Sequence, residues 1–414
     1  MTSAINVIMS QRFNFRLFLL LLLPLASVQA TELTGRFSML GLTAQAEQGD
    51  IGFINEDNDT LTADQQSLRL MLDNIQANGE WTLHLKTSRR HQNTLANTEP
   101  HASDLFRYSD LSSDWLNDNG INGSTKIGYE VDRLSYQHRF DKTTVGFGRQ
   151  AIDWGSGRFW QPLNVFGAFA PTDLDTDFKP GIDAAVINWY PSDFSSLTAV
   201  YAFAPNGNAT IDNSAAIYYR RQLREQVEMS LLAAQVIDNT AIGLSLEGEL
   251  QGMGWRIEGA HNNLEQTNEN TLFWIAGLDY QFENGLLLAA EWYNHNGGVN
   301  SENTMTIPTV NQQLEYGLQQ YQGTKVFGIS ASKEITPLVQ GTYTMLLGML
   351  NDVDNQLSTS SLHQFTAIYS VSNESDLLFS LLQANGKGLN FSGSPQSEFG
   401  YLPTSLSLRL RFYF

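Results

Sequence analysis

The chain has 414 residues, no cysteine, and 24 basic against 43 acidic side chains, for a net charge of −19. That balance excludes nucleic-acid binding, which needs a basic footprint, and docking on anionic lipid through a polybasic surface. The missing thiol excludes disulfides, thiolate metal sites, thiol catalysis and lipid attachment on cysteine.

Residues 1–30 read as a cleaved export signal. Arg12 and Arg16 form a basic start, Leu17 to Leu25 an apolar core, and Val28-Gln29-Ala30 a small-residue cleavage site. A core that short cannot span a membrane as a helix, which takes about 20 residues. Thr31 is then the mature N-terminus, and cleavage of two Arg moves the charge from −19 to −21. No linker or long repeat interrupts residues 31–414, which read as one unit.

After the leader, apolar and polar residues alternate. Trp81, Leu83 and Leu85 interleave with Thr82, His84 and Lys86. Ile242, Leu244, Leu246 and Leu250 oppose Ser245, Glu247 and Glu249, and Leu272, Trp274, Ala276, Leu278 and Tyr280 oppose Asp279 and Gln281. Val339, Tyr343, Met345 and Leu347 oppose Gln340, Thr342 and Thr344. A period of two marks half-buried strands. The patterns run about 10 to 14 residues, against about 5 or 6 in soluble sheets and about 9 to 11 in tilted membrane-spanning strands. Trp81, Trp189, Tyr190, Tyr201, Phe203, Trp255, Trp292 and Tyr369 sit near strand ends, where interfacial aromatic girdles lie.

The expected fold is all-β: a transmembrane antiparallel up-and-down barrel of about eighteen strands. These fall near 34–45, 65–77, 80–90, 125–140, 143–153, 181–190, 195–204, 213–222, 225–237, 239–251, 254–263, 271–282, 285–295, 323–333, 337–348, 360–371, 375–384 and 402–414. Tight-turn chemistry at Asn78-Gly79, Asp141-Lys142, Pro191–Phe194, Gly252–Gly254, Glu283-Asn284 and Ser372-Asn373 alternates with longer loops. An even count puts both termini on the periplasmic rim. The links near 238 and 264–270 are short for outer loops, so sixteen strands is the alternative. A ring this wide leaves a lumen that side chains alone do not fill.

The first long loop holds Glu47, Asp50, Glu56, Asp57, Asp59 and Asp64 without a base. It reads as a solvated acidic rim; sharing divalent cations with lipopolysaccharide phosphates is the other reading. The third, near 154–180, is apolar where a solvated loop would be polar. It carries Trp154, Phe159, Trp160, Phe166 and Phe169. Its expected place is inside the lumen, which it would narrow; packing on neighbouring loops or another protomer is the alternative. Arg149, Arg158 and Lys179 are then expected to face Asp173, Asp175 and Asp177 across the narrowing, giving a transverse field. Further lumen charges expected from strand alternation are Arg69, Asp73, Lys86, Glu247, Glu249, Arg256, Glu258, Asp279, Glu291, Arg409 and Arg411. Their slight acidic excess predicts a weak cation preference.

Leu406, Leu408, Leu410, Phe412 and Phe414 form the last apolar stripe. It resembles the terminal strand of outer-membrane barrels, which implies Phe412 and Phe414 as an assembly signal read by the barrel assembly machinery. Gly148-Arg149-Gln150 followed by Trp154-Gly155-Ser156-Gly157 resembles a motif of porin-like and alginate-export-type barrels. The resemblance implies a Gram-negative outer-membrane protein among lipid and lipopolysaccharide, with a pore-constricting third loop. It also raises homotrimer formation, although no segment reads as a protomer interface. The expected role is passive diffusion of small hydrophilic solutes or ions, without cofactor or metal. The alternative is a dedicated export or partner-sheath barrel of polysaccharide-export type. An outer-membrane hydrolase ranks below both: no HExxH or Gly-x-Ser-x-Gly exists, and only His261 and His295, near outer strand ends, are candidates for a spatial site.

Overall fold

The computed structural model describes residues 31–57, 59–93, 102–109, 116–117, 125–206, 211–265, 267–306, 314 and 317–414. The leader therefore lies outside the described residues. The strands are β1 (Thr31–Gln45), β2 (Thr60–Ile75), β3 (Gly79–Gln92), β4 (Leu116–Asn117), β5 (Thr125–Phe140), β6 (Thr143–Gln150) and β7 (Ile182–Ser192). Next come β8 (Ser195–Ala202), β9 (Ser214–Arg224), β10 (Val227–Val236), β11 (Asn239–Leu250), β12 (Met253–Leu264) and β13 (Glu269–Gln281). The last are β14 (Leu287–His295), β15 (Lys325–Thr336), β16 (Val339–Asn351), β17 (Leu357–Ser372), β18 (Ser375–Asn385) and β19 (Thr404–Tyr413).

Apart from the two-residue β4, which flanks β5, every strand pairs antiparallel with its sequence neighbours. The ring shuts where β1 meets β19, in register from Arg36↔Tyr413 to Gln45↔Thr404. The result is a closed barrel of eighteen strands with no open edge, so the backbone groups of its wall are paired. At the seam the backbones of Gly35 and Phe414 exchange hydrogen bonds of 2.7 and 3.0 Å. The Phe414 ring lies over Gly35, where a Cβ would come within 2.2 Å of it.

The alternation resolves into two faces. On β19, Leu406, Leu408, Leu410 and Phe412 are exposed on the outer wall while Ser407 and Arg409 are buried on the inner one. On β11, Ile242 and Leu244 face out and Ala241 and Ser245 face in. Apolar outside and polar inside suits hydrocarbon as the surrounding solvent.

The ambiguity over sixteen strands is settled by backbone conformation. Between β10 and β11 the link is only Ile237-Asp238, with φ of 47° and 66°. Positive φ at both central residues is the twist of a tight hairpin turn, so two full strands meet there. Ile237 is β-branched and ill suited to that region. It is held by burial in an apolar cluster, and its N–H donates to Ser214 Oγ at 3.0 Å. The expected strand 143–153 ends earlier, at Gln150, two residues after Gly148 with its φ of +113°. The strand expected from 65 instead begins at Thr60, its register with β1 continuing to Gln45↔Thr60.

Candidate functional site

The residues between β6 and β7 touch the inner wall on several sides, so this segment crosses the ring. Its entry is built by glycines. A side chain on Gly148 would meet the Leu134 carbonyl at 2.2 Å, and one on Gly157 would meet the Trp160 carbonyl at 1.6 Å. Gly155 has φ +98° and lies against Gln161 and Glu258. The Gly-Arg-Gln…Trp-Gly-x-Gly run is thus a set of close backbone approaches that turns the strand into the lumen.

Two wall carboxylates receive the turned backbone. Glu258 on β12 accepts the Ser156 N–H at 2.6 Å, the Ser156 hydroxyl at 2.9 Å and the Leu163 N–H at 2.8 Å. Glu291 on β14 accepts the N–H groups of Arg158, Phe159 and Trp160 at 3.0 to 3.1 Å. Successive N–H groups in a turn form an anion-binding nest, here occupied by a wall residue. Trp160 is fully buried beside Tyr293 and Tyr321 and donates Nε1–H to Tyr321 at 3.1 Å. Trp154 stacks on Tyr218 of β9 at 4.9 Å, and Phe166 packs edge-on against Trp154 and Phe106.

The far half of the segment reaches the seam. Arg36 of β1 binds Asp175 through both guanidinium nitrogens at 2.7 Å and Asp177 at 2.8 Å. Arg411 of β19 binds Asp177 at 2.6 Å, and the Tyr413 hydroxyl donates to Asp177 at 2.6 Å. The Phe178 ring lies under the guanidiniums of Arg36 and Arg69, at 4.8 and 4.4 Å. Gln364 of β17 donates to the Thr172 carbonyl at 3.1 Å.

These pairings correct the expected transverse field. Arg149, Arg158 and Lys179 do not face Asp173, Asp175 and Asp177 as pairs. Arg149 is buried, binds both oxygens of Asp183 at 2.8 and 2.9 Å, and donates to the carbonyls of Val131 and Ser109. Arg158 reaches Asp279 at 3.3 Å, and Lys179 binds Asp153 at 2.6 Å and Asn164 at 2.9 Å. For Arg149 and Lys179 the reason is burial, since a charge taken from water needs a close partner, and each finds one beside it.

The wall charges are likewise paired. Arg69 binds Asp132 at 2.6 Å, Lys86 binds Glu130 at 3.3 Å, Arg256 contacts Asp279, and His84 contacts Asp73 at 3.3 Å. Arg409 and Arg411 share Asp376 at 4.0 and 3.0 Å. Glu247 stands opposite Arg256 on β12 and Glu228 on β10, and Glu249 is exposed near a tight turn. Phe412 and Phe414 stack at 6.0 Å on the outer side of the seam. Sequence reasoning missed Arg36, although its place between Gly35 and Phe37, with Ser38 next on the same face, is the period-two signal used elsewhere. It also missed Phe178, Gln364, Tyr321 and Glu398, which only the folded chain brings to the segment or its surroundings.

Burial alone would raise the carboxyls of Asp175 and Asp177. For Asp175 the hydrogen bonds and charge of Arg36 outweigh that effect; for Asp177 Tyr413, Arg411 and Arg36 do so, and both are held below the usual carboxylate range. A depressed carboxyl stabilises the fold above its unfolded pKa, and that contribution is lost as pH falls through the folded value. The Arg36–Asp175–Asp177 anchor is therefore expected to persist at pH 5 and to loosen only below about pH 4. Protease cleavage within 165–178 on detergent-folded protein, followed from pH 8 to pH 3, checks this; cleavage rising already at pH 6 would contradict it.

Beside Phe169 the segment leaves an open-sided cavity of about 470 Å³, bounded also by residues of 317–322 and 398–402 and by Leu346 and Leu362 of the wall.

No model of a known protein family matches the sequence, and no curated protein matches it. Solved structures do resemble it in fold. OccAB4 of Acinetobacter baumannii is 10% identical, with a TM-score of 0.59 over 93% of this chain and 99% of that one. The outer membrane protein opdK of Pseudomonas aeruginosa is 8% identical, with 0.58 over 94% and 100%. A BenF-like porin of Pseudomonas fluorescens is 11% identical, with 0.58 over 94% and 99%. At such identities the likeness is one of fold.

Proposed function

We propose that this chain is a Gram-negative outer-membrane channel through which small hydrophilic solutes diffuse passively. The observation that carries this reading is the segment 154–178, latched across a polar lumen by residues of β1, β12, β14, β17 and β19. It narrows the passage, and a cavity remains beside it. A barrel built only as an anchor has no need of such a device. The shared fold with an outer membrane protein and a porin supports the same reading.

In this proposal residues 1–30 direct export and are removed, and both termini lie on the periplasmic rim. Lipid and lipopolysaccharide contact the apolar outer wall, and Phe412 and Phe414 are read by the assembly machinery. Protomers associate as trimers. The reading is non-enzymatic, supported by the placement of His261 and His295, the two candidates for a spatial site. His261 is exposed on the outer face of β12, whereas His295 is buried on the inner face of β14.

Purified protein added to a planar bilayer is expected to give discrete ohmic steps, with a reversal potential in a salt gradient displaced toward weak cation preference. A membrane that stays silent at high protein load would sink the reading.

A further inference from the structure

β1 and β19 are neighbours in the ring without a chain connection, and arginines crowd the inner side of their joint. Arg69 of β2 stands directly opposite Arg36 of β1, and Arg409 and Arg411 of β19 complete the group. Arg36, Arg69 and Arg409 are 3%, 4% and 2% exposed. Like charges set side by side repel, and each buried guanidinium needs a carboxylate.

The wall supplies two. Asp132 binds Arg69 at 2.6 Å but is shared with Arg107 and Arg133. Asp376 binds Arg411 at 3.0 Å and lies 4.0 Å from Arg409. Four arginines against two acids leave two positive charges, and among the described residues no wall carboxylate pairs with Arg36.

Asp175 and Asp177 of the crossing segment bring the missing two. Asp177 is held from both sides of the seam at once. Arg36 of β1 donates to it at 2.8 Å, and Arg411 and the Tyr413 hydroxyl of β19 each donate at 2.6 Å. Arg36 and Tyr413 are direct partners in the seam register, so one carboxylate spans the joined pair. Asp175 takes both terminal nitrogens of Arg36 at 2.7 Å. On one flank Phe178 lies against Arg36 and Arg69, and on the other Gln364 of β17 fixes Thr172. The strip 172–178 therefore lies over the inside of the joint, from β17 to β2.

We infer that residues 172–178 are a clasp that keeps the ring shut, a task separate from narrowing the passage. Asp175 and Asp177 neutralise a seam that would otherwise repel itself, and Asp177 ties its two strands together where no loop does. The dependence is mutual. The far half of the segment has its seat only when β1 and β19 lie side by side, so closing the ring also completes the constriction. The role concerns the joint and is independent of the channel reading.

The test is amide hydrogen exchange of the detergent-folded full chain. It is read in peptides covering 33–42 and 404–414 at the seam, and 239–250 halfway round the ring. Asp175→Asn with Asp177→Asn leaves the buried Arg36 without its counter-charge. Seam exchange should then quicken about tenfold while 239–250 keeps its native rate. Glu258→Ala with Glu291→Ala frees the other half of the segment and should leave the seam at its native rate. Should the double asparagine variant fail to fold, two milder changes decide. Tyr413→Phe removes one hydroxyl and no charge, and should quicken seam exchange about threefold. In the native chain, raising salt from about 0.1 M to about 1 M shortens the screening length from about 10 to about 3 Å. Asp175 and Asp177 are partly exposed, so seam exchange should rise with salt and that of 239–250 should not. Seam rates indifferent to these changes, or equally quickened by the Glu258 and Glu291 pair, would overturn the clasp. So would a rise of equal size in 239–250, which marks a general loss of stability.

Discussion

Replacing Glu258 and Glu291 together with alanine is expected to raise single-channel conductance severalfold. The two carboxylates accept five backbone N–H groups and one hydroxyl from residues 156–163. Hydrogen bonds to a charged acceptor contribute about 1.5–3 kcal/mol each, and the set acts as one unit, so several kcal/mol of closure vanish at once. The released N–H groups can be satisfied again only by lumen water, which requires the segment to leave the wall. Trp160 and Phe166 keep their aromatic neighbours, so the open state should exchange with a closed one and appear as added current noise. Glutamine at both positions keeps an acceptor oxygen and is expected to fall between the alanine variant and the native chain. Conductance of the double alanine variant equal to the native value, with a quiet baseline, would show that the carboxylates do not hold the segment.

Arg149→Met is expected to cost the barrel about 3–5 kcal/mol, the range for removing one partner of a buried ion pair. Arg149 is 2% exposed and ties β6 to β7 through Asp183, to β5 through the Val131 carbonyl, and to the 102–109 segment through Ser109. Its loss strands the Asp183 carboxylate and orphans two carbonyls where β6 has already ended and β5 continues without it. The compact band in SDS should convert to the unfolded one several degrees below the native protein. Asp183→Leu combined with Arg149→Met should recover much of that loss, since no charge is then left unpaired. A single variant that melts with the native chain would assign the arginine a different role.

The barrel was legible in the sequence because its signals are local. Period-two alternation and turn chemistry each span about ten residues, and the 125–140 strand is found with the same limits in the structure. Where the backbone does something unusual the reading slipped, as at the end of β6, which stops at Gln150, two residues after the positive φ of Gly148 and three short of the expected limit. The apolar content of 154–169 signalled burial without naming partners. Those partners, Glu258 and Glu291, lie far off in sequence, as do Arg36 and Arg411, which hold Asp175 and Asp177, and all are gathered only when the ring closes. The expected field between loop acids and loop bases failed for that reason. It matched charges by nearness along the chain, whereas buried charges are matched by nearness in space.

Leaving aside the two-residue β4 between β3 and β5, every wall pairing but one joins strands that follow each other along the polypeptide; the exception is β1 with β19. A ribbon of hairpins can therefore grow stepwise from short-range encounters, but its two free borders stay sticky until the extremities meet. The entropy of that final encounter rises only slowly with chain length, by about 0.6 kcal/mol per doubling. Waiting, rather than free energy, is the hazard, since each border is a template for foreign strands. Chains shortened by either terminal strand should accumulate as aggregates rather than as smaller rings.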